Sequence, residues 1–272
     1  PDGRRSVAGA YLIPDRLRLK VLSPEVPKTL WISANEKTGA SINVPIVGTC
    51  RPTKSCASYC YGLAGPISFG PALQRQYQNL KRFEALESAS DEELQEEVNR
   101  VYYAIYPRYT YLRFFGVGDL TPGSVRFINA MAQRHPNLTL WVPTRKLELA
   151  EQITPASNVF LMMSMDRTTS PVVAEQFRAF VSARKPYAFG AYVQQEEDDK
   201  VPDWIKTIFA IHVRGYRAKW SGTNTDPRTC PATVYEGVSH KNACEECRAC
   251  FTVPITAPLS KSPKKLKPFS LW

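Results

Sequence analysis

Histidine is scarce in this chain, with three among 272 residues, and cysteine is absent everywhere except in two tight groups. No apolar run approaches the roughly 20 residues that cross a bilayer, so a membrane-spanning helix is not expected. A signal-peptide pattern is lacking too. The first residue is Pro1, so an initiator or upstream segment is expected ahead of it. Internal repeats and low-complexity segments are absent.

What is present fits one sizeable α/β domain with an appendage. Hydrophobic residues make up 43% and charged residues 22%, enough to build and solvate a large core. Seven cysteines in such a chain argue against the disulfide frameworks of small secreted domains and for a reducing, cytoplasmic setting. The formal net charge is +10 and the pI about 9.3. Basic residues gather at both ends, in Arg4, Arg5, Arg16, Arg18 and Lys20, and in Lys261, Lys264, Lys265 and Lys267. Such ends suit a phosphate-bearing partner, nucleic acid first, or simply a solvated basic surface.

Strand-like and helix-like stretches alternate from Ser41 onward. Strands are expected at Ser41–Val47, Tyr111–Phe115, Leu138–Val142, Asn158–Met163, Tyr187–Val193 and Ile208–Val213. Helices are expected at Leu73–Leu86, Asp91–Tyr106 (capped by Ser90), Pro122–Arg134, Arg145–Ile153 and Val172–Ala183. The alternation predicts a parallel sheet, and continuous apolar strands such as NVFLMM predict cover on both faces. Right-handed crossovers curl six such units into a partial barrel, and an open doubly wound sheet is the competing arrangement.

The cysteines carry the chemistry. Cys50, Cys56 and Cys60 lie in GTCRPTKSCASYCYG, spaced C-x5-C-x3-C, directly after the first strand. Three thiolates on a [4Fe–4S] cube leave one iron open to a small ligand; zinc held by three cysteines and water is the rival. Unligated buried thiols are the third possibility. Cys230, Cys244, Cys247 and Cys250 are spaced C-x13-C-x2-C-x2-C, with Pro231 after the first. That run is nearer to ferredoxin-type iron–sulfur ligation than to paired zinc knuckles, and zinc is the alternative there. His240 lies between these ligands as a possible substitute.

In parallel α/β folds functional groups collect after the carboxyl ends of the strands. Two more polar loops fall there. Gly116-Val117-Gly118-Asp119 follows the second strand, where Asp119 either accepts from an amine or caps the next helix. Ser164 and Asp166 end the fourth, where they bind a ribose diol or cap the following segment. Arg113 and Arg145 are candidates to hold an anion at the same mouth. His135 reads as structural and His212 as an acid/base candidate.

This layout resembles the radical S-adenosylmethionine (SAM) superfamily. The resemblance implies an α/β fold, a partial (β/α)6 TIM-like barrel with a C-terminal cysteine-rich metal-binding extension. It implies that Cys50, Cys56 and Cys60 ligate the cluster, and that Gly116, Gly118 and Asp119 face the methionine part of SAM. It places Ser164 and Asp166 at the ribose and Tyr59 near the adenine. The loop departs from the superfamily's C-x3-C-x2-C spacing, and Asp119 stands where glutamate is usual. More narrowly, CRPTKSCASYCYG, LRFFGVGDL and CPA…CEECRACF resemble a bacteriophage family of "gene product 88"-like proteins, a phage or mobile-element origin.

The organisation expected is a basic arm over 1–28, the barrel over 29–213, a four-cysteine extension over 214–258 and a basic tail over 259–272. The function expected is an iron–sulfur protein with one or two [4Fe–4S] clusters, acting with SAM on a nucleic acid or nucleotide and fed by an electron donor. The alternative is a non-catalytic iron–sulfur or zinc-stabilised nucleic-acid-binding protein. A zinc hydrolase at the front trio lacks a strong candidate for its base. No membrane partner is expected.

Overall fold

The computed structural model describes residues 26–35, 38–63, 66–68, 70–196, 199–210, 226–230 and 243–252. Almost all of the arm at 1–28, the tail at 259–272, much of the extension at 214–258, and both His212 and His240 lie outside them.

The chain begins with a short hairpin, β1 (Ile32–Asn35) antiparallel to β2 (Gly39–Ile42). After the cysteine loop, described below, come α1 (Lys54–Tyr59), α2 (Gly70–Ser88) and α3 (Asp91–Ile105). Then β3 (Tyr111–Phe114), α4 (Pro122–Arg134), β4 (Thr139–Thr144), α5 (Leu147–Ala150) and β5 (Val159–Asp166) alternate. The series closes with α6 (Pro171–Ala183), β6 (Ala188–Gln194) and β7 (Ile205–Ala210), and α7 (Ala243–Cys247) lies apart near the end. Local signals set the helix starts. Ser90 accepts from Glu93 N at 3.1 Å ahead of three acids in the first turn, and Thr121 forms a capping box with Ser124 before Pro122.

All seven strands form one sheet in the order β1-β2-β3-β4-β5-β6-β7, and every pair from β2 to β7 is parallel. The order never reverses, so the doubly wound alternative, which needs a switch point, does not apply. Among the described residues the sheet is not closed: β1 lies at one edge, and beyond β7 only a single parallel bridge from Ile208 to Thr229 follows.

Right-handed crossovers that always step in one direction put every helix on the same face. The core bears this out. Leu112 and Phe114 of β3, Leu140 and Val142 of β4, and Val159, Leu161 and Met163 of β5 pack with helix residues such as Phe83, Val98, Phe127, Ile128 and Phe180. The alternate residues Tyr111, Trp141, Phe160, Met162, Phe189 and Ala191 form a separate cluster that contains no helix residue of α2–α6. The cover expected on both faces therefore comes from α2–α6 on one side only. Apolar residues at every strand position arise because the second face carries its own aromatic layer, capped by Phe251 from the C-terminal cysteine segment.

Two further differences concern strand ends. Ser41–Val47 is strand only to Ile42, because Pro45 starts a kinked turn over Ile46–Thr49. The last strand starts at Ile205, three residues before the expected Ile208.

Candidate functional site

The C-terminal ends of the parallel strands converge under the front cysteine loop. Cys50 follows the turn after β2, and Thr53 then caps α1 by accepting from Cys56 N at 3.1 Å. The same Thr53 hydroxyl donates to Asp166 Oδ2 at the end of β5. Ser55 N donates to Thr168 Oγ1 at 3.0 Å, and the Ser55 hydroxyl donates to Gln195 Oε1 beyond β6. The cysteine helix is thus laid across the strand ends from β2 to β6 by side chains more than a hundred residues away.

Two buried carboxylates brace this platform. Asp119 accepts from Leu120 N at 2.8 Å and Thr144 Oγ1 at 2.6 Å on one oxygen, and from Arg145 N at 3.2 Å on the other. Its own N–H donates to Thr49 Oγ1 at 3.2 Å, which ties the loop after β3 to the residue before Cys50. Burial holds the Asp119 carboxyl above the ordinary range, opposed by those hydrogen bonds and by Lys146. Asp166 accepts from Thr168 N and Thr168 Oγ1, both at 2.9 Å, and pairs with Arg145 Nη2 at 2.9 Å. Burial raises the Asp166 carboxyl, but Arg145, Thr53 and Thr168 outweigh it and hold it below the ordinary range. Gly118 makes the close approach possible. Its φ is +84°, and a Cβ there would lie 2.3 Å from the carbonyl oxygen of Val44.

The three front thiols are partly buried and close enough to feel one another. Burial pushes Cys50 up to about 12, with Asp119, Cys60 and Cys56 adding to it. Burial also raises Cys56, against the pull of Arg145, and raises Cys60, against the N–H groups of Gly62 and Leu63 and against Arg145. Thiolates in this position are costly until a cation offsets them, which is what a metal centre does. Among the described residues, however, no three His, Cys, Asp or Glu side chains converge on a single metal position. The donor types are those such a centre uses.

The second cysteine set, α7 included, lies toward the other end of the strands, on the face that α2–α6 leave uncovered. Phe251 stacks on Tyr111 with centroids 4.3 Å apart and lies 5.6 Å from Trp141. Arg248 donates to Thr110 Oγ1 at 3.1 Å, just before β3. Cys230 N donates to the Ile208 carbonyl at 2.8 Å, and Thr207 hydrogen-bonds Cys250. Burial pushes Cys250 up to about 12, with Cys230, Cys244 and Cys247 contributing, so the four thiols are neighbours. Burial lowers the Lys206 ammonium, while Cys250 and Cys247 raise it, and it sits 4.7 Å over the Phe189 ring.

Sequence reasoning brought together Cys50, Cys56, Cys60, Asp119, Asp166 and Arg145. Asp119 accepts from Leu120, Thr144 and Arg145, and Asp166 from Thr53, Thr168 and Arg145, all groups of the strand-end loops or the cysteine segment. Gly116 lies beside Asn43 and Arg113, and Ser164 is half-buried on the face that α2–α6 leave uncovered. The side chain of Tyr59 is outside the described residues. His135 is structural as expected, stacked on Tyr102 at 3.8 Å with Nε2 3.0 Å from Asn99 Oδ1. Thr53, Ser55, Thr168, Gln195 and Phe251 were not foreseen, since only the fold brings them to the cysteines.

A family model described as Gene product 88 matches residues 20–253 of the chain. No curated protein and no solved structure matches it.

Proposed function

The chain belongs to the gene product 88 family, and from that premise we propose an intracellular, phage-type iron–sulfur protein built on a radical-SAM-like partial barrel. The observation that carries the reading is the position of the three-cysteine loop. It follows the first of six parallel strands in unbroken order and crosses their C-terminal ends, where the loops after the second and fourth supply Asp119 and Asp166.

In this reading Cys50, Cys56 and Cys60 hold a [4Fe–4S] cluster with one open iron, and Cys230, Cys244, Cys247 and Cys250 hold a second cluster or zinc. When bound, the open-site cluster supplies a single electron to SAM, and the substrate is a nucleic acid or nucleotide. The chain's own residues do the rest. Arg145 offsets thiolate charge beside Cys56 and Cys60, and the Gly62 and Leu63 N–H groups donate to Cys60. Thr53 and Ser55 fix the pitch of α1, and the helix-side core keeps water from the back of the sheet.

One observation favours the non-catalytic alternative: Asp119 and Asp166 already accept hydrogen bonds from Leu120, Thr144, Arg145 and Thr168, leaving less for the amine and ribose of SAM. The two readings separate in one experiment on anaerobically purified, reduced, iron-loaded protein. The enzyme reading predicts SAM cleavage. No cleavage, together with nucleic-acid binding that weakens steeply with salt, would sink it in favour of the binding module.

A further inference from the structure

The sheet face that α2–α6 leave uncovered carries an arginine in the middle of a strand. Arg82, Arg100, Arg126, Arg145 and Arg228 all pair with carboxylates. Arg113, in the middle of β3, has no carboxylate partner among the described residues. Its guanidinium lies 4.7 Å over the ring of Trp141, the residue in register with it on β4. Its Nε is buried and makes no hydrogen bond.

Trp141 repeats the pattern. It is 3% exposed, and its indole Nε1 is buried with no acceptor. Two buried donors on adjacent strands of one face, one of them charged, both lack an acceptor among the described residues. A buried donor without a partner is costly, more so when charged, so a native structure rarely keeps a pair without a ligand to satisfy them.

The surroundings leave room. Pro143, Ser164 and Val193 on the same face are only half-buried, whereas helix-facing Val142, Met163 and Tyr192 are buried. Gly116 packs closely beside the guanidinium, since a Cβ there would lie 2.9 Å from Asn43 Oδ1 and 3.6 Å from Arg113 Nη1.

We propose that this sheet face, between the two cysteine sets, binds a small molecule through an oxyanion, phosphate or carboxylate, with Arg113 as its anchor and the Trp141 indole N–H as a second donor. The planar guanidinium fork matches either oxyanion in two-point contact. The inference rests on the sheet and its donors and is independent of what the cysteines hold.

The test is isothermal titration calorimetry of the full chain, purified without oxygen, in 150 mM salt, which suppresses diffuse attraction to the basic surface. The probes are inorganic phosphate, adenosine monophosphate and citrate. Saturable binding near one per chain is expected for at least one probe, weakened about tenfold or more in Arg113→Met and partly retained in Arg113→Lys. Phosphate or the nucleotide binding ahead of citrate identifies a phosphate site, and the reverse a carboxylate site. Without ligand, Arg113→Met should melt no lower than wild type, because the guanidinium it removes has no ion-pair partner. No saturable binding of any probe up to ~10 mM, or equal binding by wild type and Arg113→Met, overturns the assignment. So does a sharp loss of melting temperature in Arg113→Met with binding retained, which would mark the arginine as structural.

Discussion

Replacing Asp166 with asparagine tests how the cysteine loop is held. Asp166 is 1% exposed and gathers four donors: the Thr53 hydroxyl, Thr168 N, Thr168 Oγ1 and Arg145 Nη2. Asparagine keeps one acceptor oxygen and turns an amide N–H₂ toward a hydroxyl or the guanidinium. Breaking one half of a buried pair costs about 3–5 kcal/mol, because the surviving charge stays uncompensated. The Arg145 side chain retains 14% exposure and can turn partly to water, which favours the lower end, ~3 kcal/mol. With a urea dependence of about 3 kcal/mol per molar, the midpoint falls by about 1 M.

The damage should also be local. Ser55 N and Cys56 N donate to Thr168 Oγ1 and Thr53 Oγ1, the two hydroxyls that Asp166 orients, so both amides should exchange with deuterium faster in the variant. Adding Arg145→Met removes the stranded charge, so the double variant should be more stable than the two single losses added together, with a coupling of about 1–3 kcal/mol. An Asp166→Asn midpoint within about 0.2 M of wild type, with unchanged exchange at Ser55 and Cys56, would refute this account of the loop.

Other expectations follow from the same structure. Glu97 is fully buried and accepts from Leu30 N at 2.6 Å, Thr29 Oγ1 at 2.9 Å, Arg82 Nη2 at 3.0 Å and Arg100 Nη1 at 2.8 Å; Glu97→Ala should cost about 3–5 kcal/mol by chemical denaturation. Phe251→Ala removes the cap on the aromatic layer and should cost about 3–5 kcal/mol at that site, read as faster exchange of Phe251 N and Arg248 N with little change in α4. Burial lowers His135 below its ordinary value, with Arg134 adding to it, so the unfolded chain takes up this proton more readily. Stability from this site is intact above about pH 6.5 and falls as pH drops below it; His135→Gln should flatten that part of a urea-midpoint profile between pH 7.5 and 5.5.

The six parallel strands were legible because their apolar runs are bounded by turn residues and separated by capped helices, as at Ser90, Thr121 and Ser170. The edge strand β1, ISAN, is short, polar and largely exposed, so it carries no apolar signal. The start of β7 was hidden by two polar residues. Lys206 and Thr207 interrupt its apolar run, and both face the C-terminal cysteine segment, Lys206 reaching the Thr252 carbonyl at 3.4 Å and Thr207 bonding Cys250.

At the site, the cysteine spacing marked out the loop, and the positions of Asp119 and Asp166 at strand ends announced convergence. The partners of those carboxylates were not legible. Thr53 meets Asp166 across 113 residues and Ser55 meets Gln195 across 140, distances at which no local pattern carries information. Two continuous apolar faces on one strand likewise do not say whether helices or a folded-back tail covers each.

The most direct measurement is the iron, acid-labile sulfide and zinc content of anaerobically purified protein, alongside Cys56→Ala and Cys247→Ala variants. The account predicts about four irons with matching sulfide at the front set, lost in Cys56→Ala, and about four more, or one zinc, lost in Cys247→Ala. Zinc with little iron in the wild type, or iron unchanged in Cys56→Ala, would contradict it.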